Sequence, residues 1–266
     1  MNDLPFPVRL LCALPVVWCA ALTAAEPVSI TCSPTEVMLP RSGDVYQLLV
    51  DLHQSDDGLR DVTSAVTYES LTPGVATVSK TGVVTAHDAG QATLRVSLGE
   101  LHAHVTVQVA DGTPAEPTDF ENDVSPYLTR YGCNMAACHA KAGGQKGLQF
   151  SVFGFNPRAD FEALSRDSRG RRVSISAPAS SLFLLKATQA IPHVGGQRIS
   201  PDSDAYQALL RWVQAGAPFT GPNSRRITAI HITPGERRID MLQSQQLRVT
   251  AVFDDNSESD VTHLAR

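Results

Sequence analysis

Residues 74–99 read GVATVSKTGVVTAHDAGQATLRVSLG. Ala92, Leu94, Val96 and Leu98 occupy every second position, the period that sends successive side chains to opposite faces of a strand. Lys80-Thr81-Gly82 and Asp88-Ala89-Gly90 supply turns between the apolar runs. The alternation extends back through Tyr46, Leu48, Val50 and Leu52 and forward through Ala103, Val105, Val107 and Val109. About seven such strands between 28 and 110 predict a β-sandwich.

This stretch resembles the bacterial Ig-like group 2 domain, common in extracellular surface proteins, over residues 28–110. The resemblance implies an Ig-like sandwich with contacts to the cell envelope or to glycans.

The end of the chain repeats the beginning. QLLVDLHQSDDGLRDVTSAV at 47–66 is echoed by QLRVTAVFDDNSESDVTHLA at 246–265, each with apolar alternation, a polar turn and Asp-Val-Thr. Internal repetition marks serial modules, so residues 226–266 are expected to begin a second Ig-like sandwich. Half a sandwich leaves an open core and an unpaired edge, which predicts that the chain is part of a longer protein. Asp254 to Asp260 lacks the central Gly and closing Glu of a calcium loop and reads as a solvated turn.

Arg9, the apolar run 10–22 and the small residues Thr23-Ala24-Ala25 form a signal peptide over residues 1–25. The protein is therefore expected to be exported to the periplasm, cell surface or medium. No apolar run reaches the ~20 residues of a transmembrane helix. The net charge of −5 argues against nucleic acid, whose phosphates call for a basic face. Removing the leader takes Cys12 and Cys19 and leaves Cys32, Cys133 and Cys138. Three cysteines cannot all be paired within one chain.

The Pro-rich segment 111–119 is expected to be a linker, followed over 120–219 by a small α domain. Helices are predicted at 125–130, 158–166 and 180–188. A longer one is predicted with Ser200 as N-cap, Pro201 at its first position and a stripe of Tyr206, Leu209, Leu210, Trp212 and Val213. The expected fold class is thus β plus α: an Ig-like sandwich, a helical domain and the start of a second sandwich.

CNMAACH at 133–139 gives that domain its chemistry. Covalent haem attachment needs two thiols for the two vinyl groups and an adjacent imidazole for the iron, ordinarily as C-x-x-C-H. Cys138-His139 keeps the Cys-His adjacency, while Cys133 lies two residues further back. A zinc site and a Cys133–Cys138 disulfide are the alternatives, although zinc wants four ligands and this motif offers three. If the motif is a haem site, a second axial ligand is Met or His. Between Ala140 and Ile230 there is no Met, and the one histidine is His193, in AIPHVGGQRISP. Arg166, Arg169, Arg171 and Arg172 read as a solvated run that could also face propionates or an acidic partner.

GCNMAACHAKAGGQKGLQFSVFGFNPRADFEAL, GRRVSISAPASSLFLLKATQAIPHVGG and LLRWVQAGAP together resemble the cytochrome c-like domain of large secreted planctomycete-type proteins, where it is flanked by group 2 Ig-like domains. The resemblance implies haem c bound covalently by Cys133 and Cys138, with His139 as proximal axial ligand. His193 is the expected distal ligand to the haem iron, and no catalytic residue is assigned. The main expectation is an exported electron-transfer module on Ig-like spacers, serving an unidentified redox partner. The alternative is a cell-surface binding or adhesion protein whose α domain is structural.

Overall fold

The computed structural model describes residues 26–55, 58–110, 119–221 and 224–265. The leader expected over 1–25 and the linker residues 111–118 lie outside the described residues.

Ten short strands form the first β unit: Pro27–Ser33 (β1), Glu36–Leu39 (β2), Val45–Gln47 (β3), Leu49–Gln54 (β4), Leu59–Asp61 (β5), Thr67–Ser70 (β6), Ala76–Val78 (β7), Val83–Ala86 (β8), Gly90–Leu98 (β9) and Leu101–Val109 (β10). They pair into three sheets, β1-β4-β5, β2-β10-β9-β6 and β3-β8-β7. The β10–β2 pair is parallel. The alternating residues read from the sequence form the core: Leu94, Val96, Val105 and Val107 are fully buried, with Leu48 and Val50 facing them. The quoted stretch supplies β7, β8 and β9. At the turn between β7 and β8, Gly82 has a φ of +80°, and a Cβ there would come 2.7 Å from the Tyr68 hydroxyl. Glycine is required at that point on both counts.

The strands are shorter and more numerous than their alternation suggests. The expected run from Tyr46 to Leu52 divides at Leu48: its N–H donates to Gly82 O at 2.9 Å, still in the β3–β8 register, while Leu49 already pairs with Ser33 of β1. The buried Gln47 side chain donates to Thr81 O at 2.8 Å beside it. The chain changes sheets here, as sandwich strands do at corners.

Five helices follow: Phe120–Asp123 (α1), Ser125–Arg130 (α2), Pro157–Ser165 (α3), Leu182–Ala187 (α4) and Asp204–Gln214 (α5). Trp212 of α5 is fully buried and its Nε1–H donates to Pro218 O at 2.9 Å. Phe120 and Phe183 lie against it at 5.8 and 6.2 Å, and Phe161 meets Phe120 edge to face at 5.5 Å. The start of α5 corrects the sequence reading. Ser203, not Ser200, is the cap, its Oγ accepting from Tyr206 N at 3.2 Å. Residues 200–203 form a preceding turn closed by Ser203 N–H to Ser200 O.

The last elements are Ile227–Thr233 (β11), Arg248–Phe253 (β12) and Glu258–Asp260 (β13), in the antiparallel order β11-β12-β13. This ladder repeats β1-β4-β5 bond by bond. Val50 N–H donates to Thr63 Oγ1 at 2.9 Å, and Val249 N–H to Thr262 Oγ1 at 2.8 Å. Thr63 N–H donates to Asp61 Oδ1 at 2.9 Å, and Thr262 N–H to Asp260 Oδ1 at 2.8 Å. Val62 N–H reaches Val50 O, and Val261 N–H reaches Val249 O, both at 2.8 Å. Even the irregularity recurs, between Pro27 and Ser29 in one copy and between Ile227 and Ala229 in the other. Asp-Val-Thr is thus a structural motif: the carboxylate holds the Thr, and the Thr hydroxyl satisfies a strand amide that lacks a ladder acceptor.

The C-terminal ladder touches both earlier units. Toward the first it offers Arg237 to Asp51 at 2.8 Å, Arg248 to Ser33 O at 2.9 Å, and Asp260 Oδ2 to Gln47 N at 2.7 Å. Toward the helices, Leu264 packs on their core, Arg130 donates to Ala265 O, and the His263 ring lies 6.3 Å from that of Tyr127.

Thr63→Val is expected to leave the buried Val50 N–H without an acceptor and to cost about 1–3 kcal/mol in denaturant unfolding. Thr262→Val should cost less, because its ladder is less buried. A second expectation concerns pH. Burial pushes the His263 imidazole below its ordinary value of 6.5. The unfolded chain therefore binds the proton first, so stability falls as pH drops through 6.5 and levels off below the lowered folded value. His263→Gln should flatten that slope in unfolding curves collected between pH 7.5 and 5.

Candidate functional site

The CNMAACH loop starts where α2 ends, with Cys133 N–H donating to Leu128 O at 2.8 Å. Cys138 N–H then reaches Met135 O at 2.9 Å, and His139 N–H returns to Cys133 O at 3.0 Å. The two residues beyond the usual spacing are taken up in that turn. Asn134 anchors it: fully buried, it donates from Nδ2 to Thr129 Oγ1 at 2.8 Å and accepts Phe153 N–H on its backbone oxygen at 3.2 Å.

His139 lies edge-on to Phe150, with ring centroids 5.8 Å apart. Its Nδ1 is 3.1 Å from Leu148 O. A carbonyl oxygen can only accept, so the proton sits on Nδ1 and Nε2 keeps a lone pair. Burial pushes this imidazole below its ordinary value, and the nearby His193 and Arg172 add to the effect. The Leu148 carbonyl is itself fixed. It accepts Gln145 N–H at 2.9 Å, and Gly144, at φ +58°, approaches so closely that a Cβ would stand 2.1 Å from it. The adjoining Gly147 O accepts from Arg172 Nη2 at 2.6 Å.

His193 repeats this arrangement. Its Nδ1 is 2.8 Å from Gly196 O, again leaving Nε2 with its lone pair. A Cβ on Gly195 would come 2.9 Å from the imidazole Cε1, so the ring has room because Gly195 has none. The loop is pinned to the end of α4 by Ile191 N–H to Leu185 O at 3.3 Å and Arg198 N–H to Ala187 O at 2.8 Å. Arg198 then crosses to the first loop, its Nη2 3.7 Å from Cys138 Sγ.

The structure therefore brings Cys133, Cys138, His139 and the His193 loop into one neighbourhood. Cys133 and Cys138 are free thiols, and burial pushes Cys133 up to about 11. Cys32 is a free, buried residue of β1 in the other unit. Among the described residues, no three His, Cys, Asp or Glu side chains group as they would to hold a bare metal ion. The arginine run divides: Arg166, Arg169 and Arg171 are exposed, while Arg172 is buried and donates to Ala163 O, Asp167 O, Gly147 O and Ser168 Oγ. Its role is to tie loops together, not to line a solvated face. Sequence reasoning missed Arg198 and the Leu148 and Gly196 carbonyls, for which no residue pattern gives a signal.

Among the described residues, no helix is long and apolar enough to cross a membrane. No curated protein matches the chain. Similar solved structures include domains 5–6 of the S-layer protein SbsC, at 23% identity and a TM-score of 0.29 over 34% of this chain and 47% of that one. Domains 4 and 5 of the same protein give 20% and 0.29 over 33% and 54%. A bacterial Ig-like domain-containing GH10 xylanase from termite gut gives 18% and 0.24 over 36% and 23%. The chain thus spans between 23% and 54% of the length of these structures. Residues 64–111 match the family profile described as a bacterial Ig-like domain, so the first β unit is Ig-like there and the Cys133–His139 loop lies outside the match.

Proposed function

We propose that the chain is an exported envelope protein in which Ig-like β units act as spacers for a helical unit, and that this unit binds haem c through the CNMAACH loop. One observation carries the haem reading. His139 and His193 each have Nδ1–H tied to a backbone carbonyl and Nε2 free. A ring N–H bonded to a carbonyl in this way fixes tautomer and ring orientation in metal-ligating histidines. Cys133 and Cys138 would hold the group by thioethers, and His139 and His193 by the iron. Thioether attachment would be a net addition of each thiol to one vinyl group, with no leaving group and no oxidant needed. Bound haem would supply one-electron redox chemistry, with burial and the two imidazoles setting its potential.

A second reading is supported by the confinement of the family match to residues 64–111. In it the protein is a surface binding or adhesion protein and the helical unit is structural. Expression with cytochrome c maturation separates the two. The first predicts a pyridine haemochrome band, shifted in Cys133→Ser or Cys138→Ser and lost from denaturing gels in the double variant. Protein without covalent haem under those conditions leaves the second reading in place.

The axial assignment makes its own prediction. A bis-histidine haem is low-spin, and His193→Ala should open the sixth position to give a high-spin form that binds carbon monoxide readily. A parent protein already high-spin, with equally fast binding, would remove His193 from the iron.

A further inference from the structure

The first and last ladders bind each other through corresponding residues. Gln47 and Gln246 are equivalent positions of the repeats QLLV and QLRV, and Asp61 and Asp260 are equivalent in Asp-Val-Thr. Gln47 N–H donates to Asp260 Oδ2 at 2.7 Å, and Gln246 N–H donates to Asp61 Oδ2 at 2.5 Å. Each carboxylate is divided in the same way, Oδ1 to its own threonine and Oδ2 to the other repeat. The glutamine side chains match as well. Gln47 Nε2 donates to Leu48 O and Gln246 Nε2 to Leu247 O, both at 2.9 Å. Each thus folds back along its own chain and leaves its main-chain N–H to the neighbour. A donor and an acceptor on one copy meet the equivalent acceptor and donor on the other, which is the pattern of a two-fold, self-complementary contact.

Charge makes the two faces unequal. Asp51 of the first unit meets Arg237 of the C-terminal ladder at 2.8 Å. Arg248 lies 5.1 Å over the Tyr46 ring and donates to Ser33 O at 2.9 Å. The first unit has Val37 and Leu49 at the positions equivalent to Arg237 and Arg248, and the ladder has Thr250 at the position of Asp51. Two first units set face to face would keep the amide–carboxylate bonds and lose the ion pair. The face therefore fits its opposite number better than it fits itself. These bonds are made by amides, carboxylates and guanidinium groups, so both faces are wettable when apart, like the polar interfaces between domains that separate and rejoin.

We infer that this face is a docking surface for a second copy of the chain, two chains exchanging so that the first β unit of each rests on the C-terminal ladder of the other. Exchange makes the same bonds in the same geometry and gives up only the effective concentration that a single chain provides. It is a low-cost route to a dimer for units that already fit. The ladder stays with its own helical unit, to which Leu264 and Arg130 hold it, so the element exchanged is the first β unit as a whole. Asp51 and Arg237 select this occupant, because the ion pair forms only when a first unit meets a C-terminal ladder.

The test mixes two variants of the full chain with opposite charge changes, Asp51→Arg in one and Arg237→Asp in the other. Each sets like charges across its own contact and should be monomeric. In equal amounts they restore an ion pair at both contacts of an exchanged dimer, the introduced pair at one and the native pair at the other. Light scattering should then show a 1:1 dimer. Hydrogen exchange at the Gln47 and Gln246 amides should slow by about tenfold or more relative to either variant alone. Unchanged exchange in β9 and β10 shows that each variant is folded. Should one fail to fold, the unsubstituted chain decides: isotopically heavy and light copies held together at high concentration and then diluted should give mixed dimers in native mass spectrometry, and their absence overturns the inference. A mixture of folded variants that stays monomeric also overturns it. So does dimerisation of either variant alone, since a contact indifferent to Asp51 and Arg237 is not this one.

Discussion

In each three-stranded ladder the second residue of the central strand, Val50 or Val249, turns its amide toward the third strand just past that strand's last residue. A buried N–H without an acceptor costs about 1–3 kcal/mol, so the ladder is stable only if something supplies an oxygen. Thr63 and Thr262 do so, and Asp61 and Asp260 hold those threonines in place. The two residues occupy the same strand end as the turn that follows, so one short motif both finishes a ladder and starts the next connection. The remaining structure is arranged around this. Asp260 also accepts from Gln47, which stands at the point where the first unit switches sheets. One carboxylate thereby links the closure of the second ladder to the corner of the first.

The C-terminal ladder consequently acts as a joint between the first β unit and the helical unit, both of which precede it in sequence. Its charged side chains meet the first unit, through Arg237 with Asp51 and Arg248 over the Tyr46 ring. Its apolar end, Leu264, meets the helical core. The Arg237–Asp51 pair is largely enclosed, so breaking one partner leaves a poorly solvated charge, whereas the exposed Arg95–Glu69 pair contributes little. The position of the helical unit against the first β unit is thus set by a third element, in addition to whatever the intervening chain contributes.

What the sequence disclosed followed the strength of its local signals. Period-two alternation located β4, β9 and β10, because those strands each have one buried face. The corner at Leu48 was hidden, because Leu48, Leu49 and Val50 are all buried and present an unbroken apolar run whichever sheet each belongs to. The start of α5 was misplaced by three residues because Ser200 and Ser203 offer the same capping chemistry, and only tertiary contacts choose between them. Spacing singled out Cys133, Cys138 and His139, and elimination singled out His193. Neither could show that both imidazoles are oriented by backbone carbonyls, since carbonyls are common to every residue. Arg172 was grouped with its exposed neighbours because charge runs carry no information about which member turns inward.

The carbonyls of Gly147 and Leu148 are consecutive, yet they serve different masters. One receives the Arg172 guanidinium, which also grips the end of α3 through Ala163 O, and the other receives the His139 ring. The two carbonyls sit on adjacent peptide units that share the Leu148 Cα, so the two anchoring bonds are held next to each other in the chain. The His139 ring is thus connected to a helix it does not touch, through the Arg172 guanidinium and two successive peptide units. Cys133, Cys138 and His139 share one loop after α2, closed by His139 N–H to Cys133 O, so the helix end reaches the thiols and the ring through the same short stretch of chain.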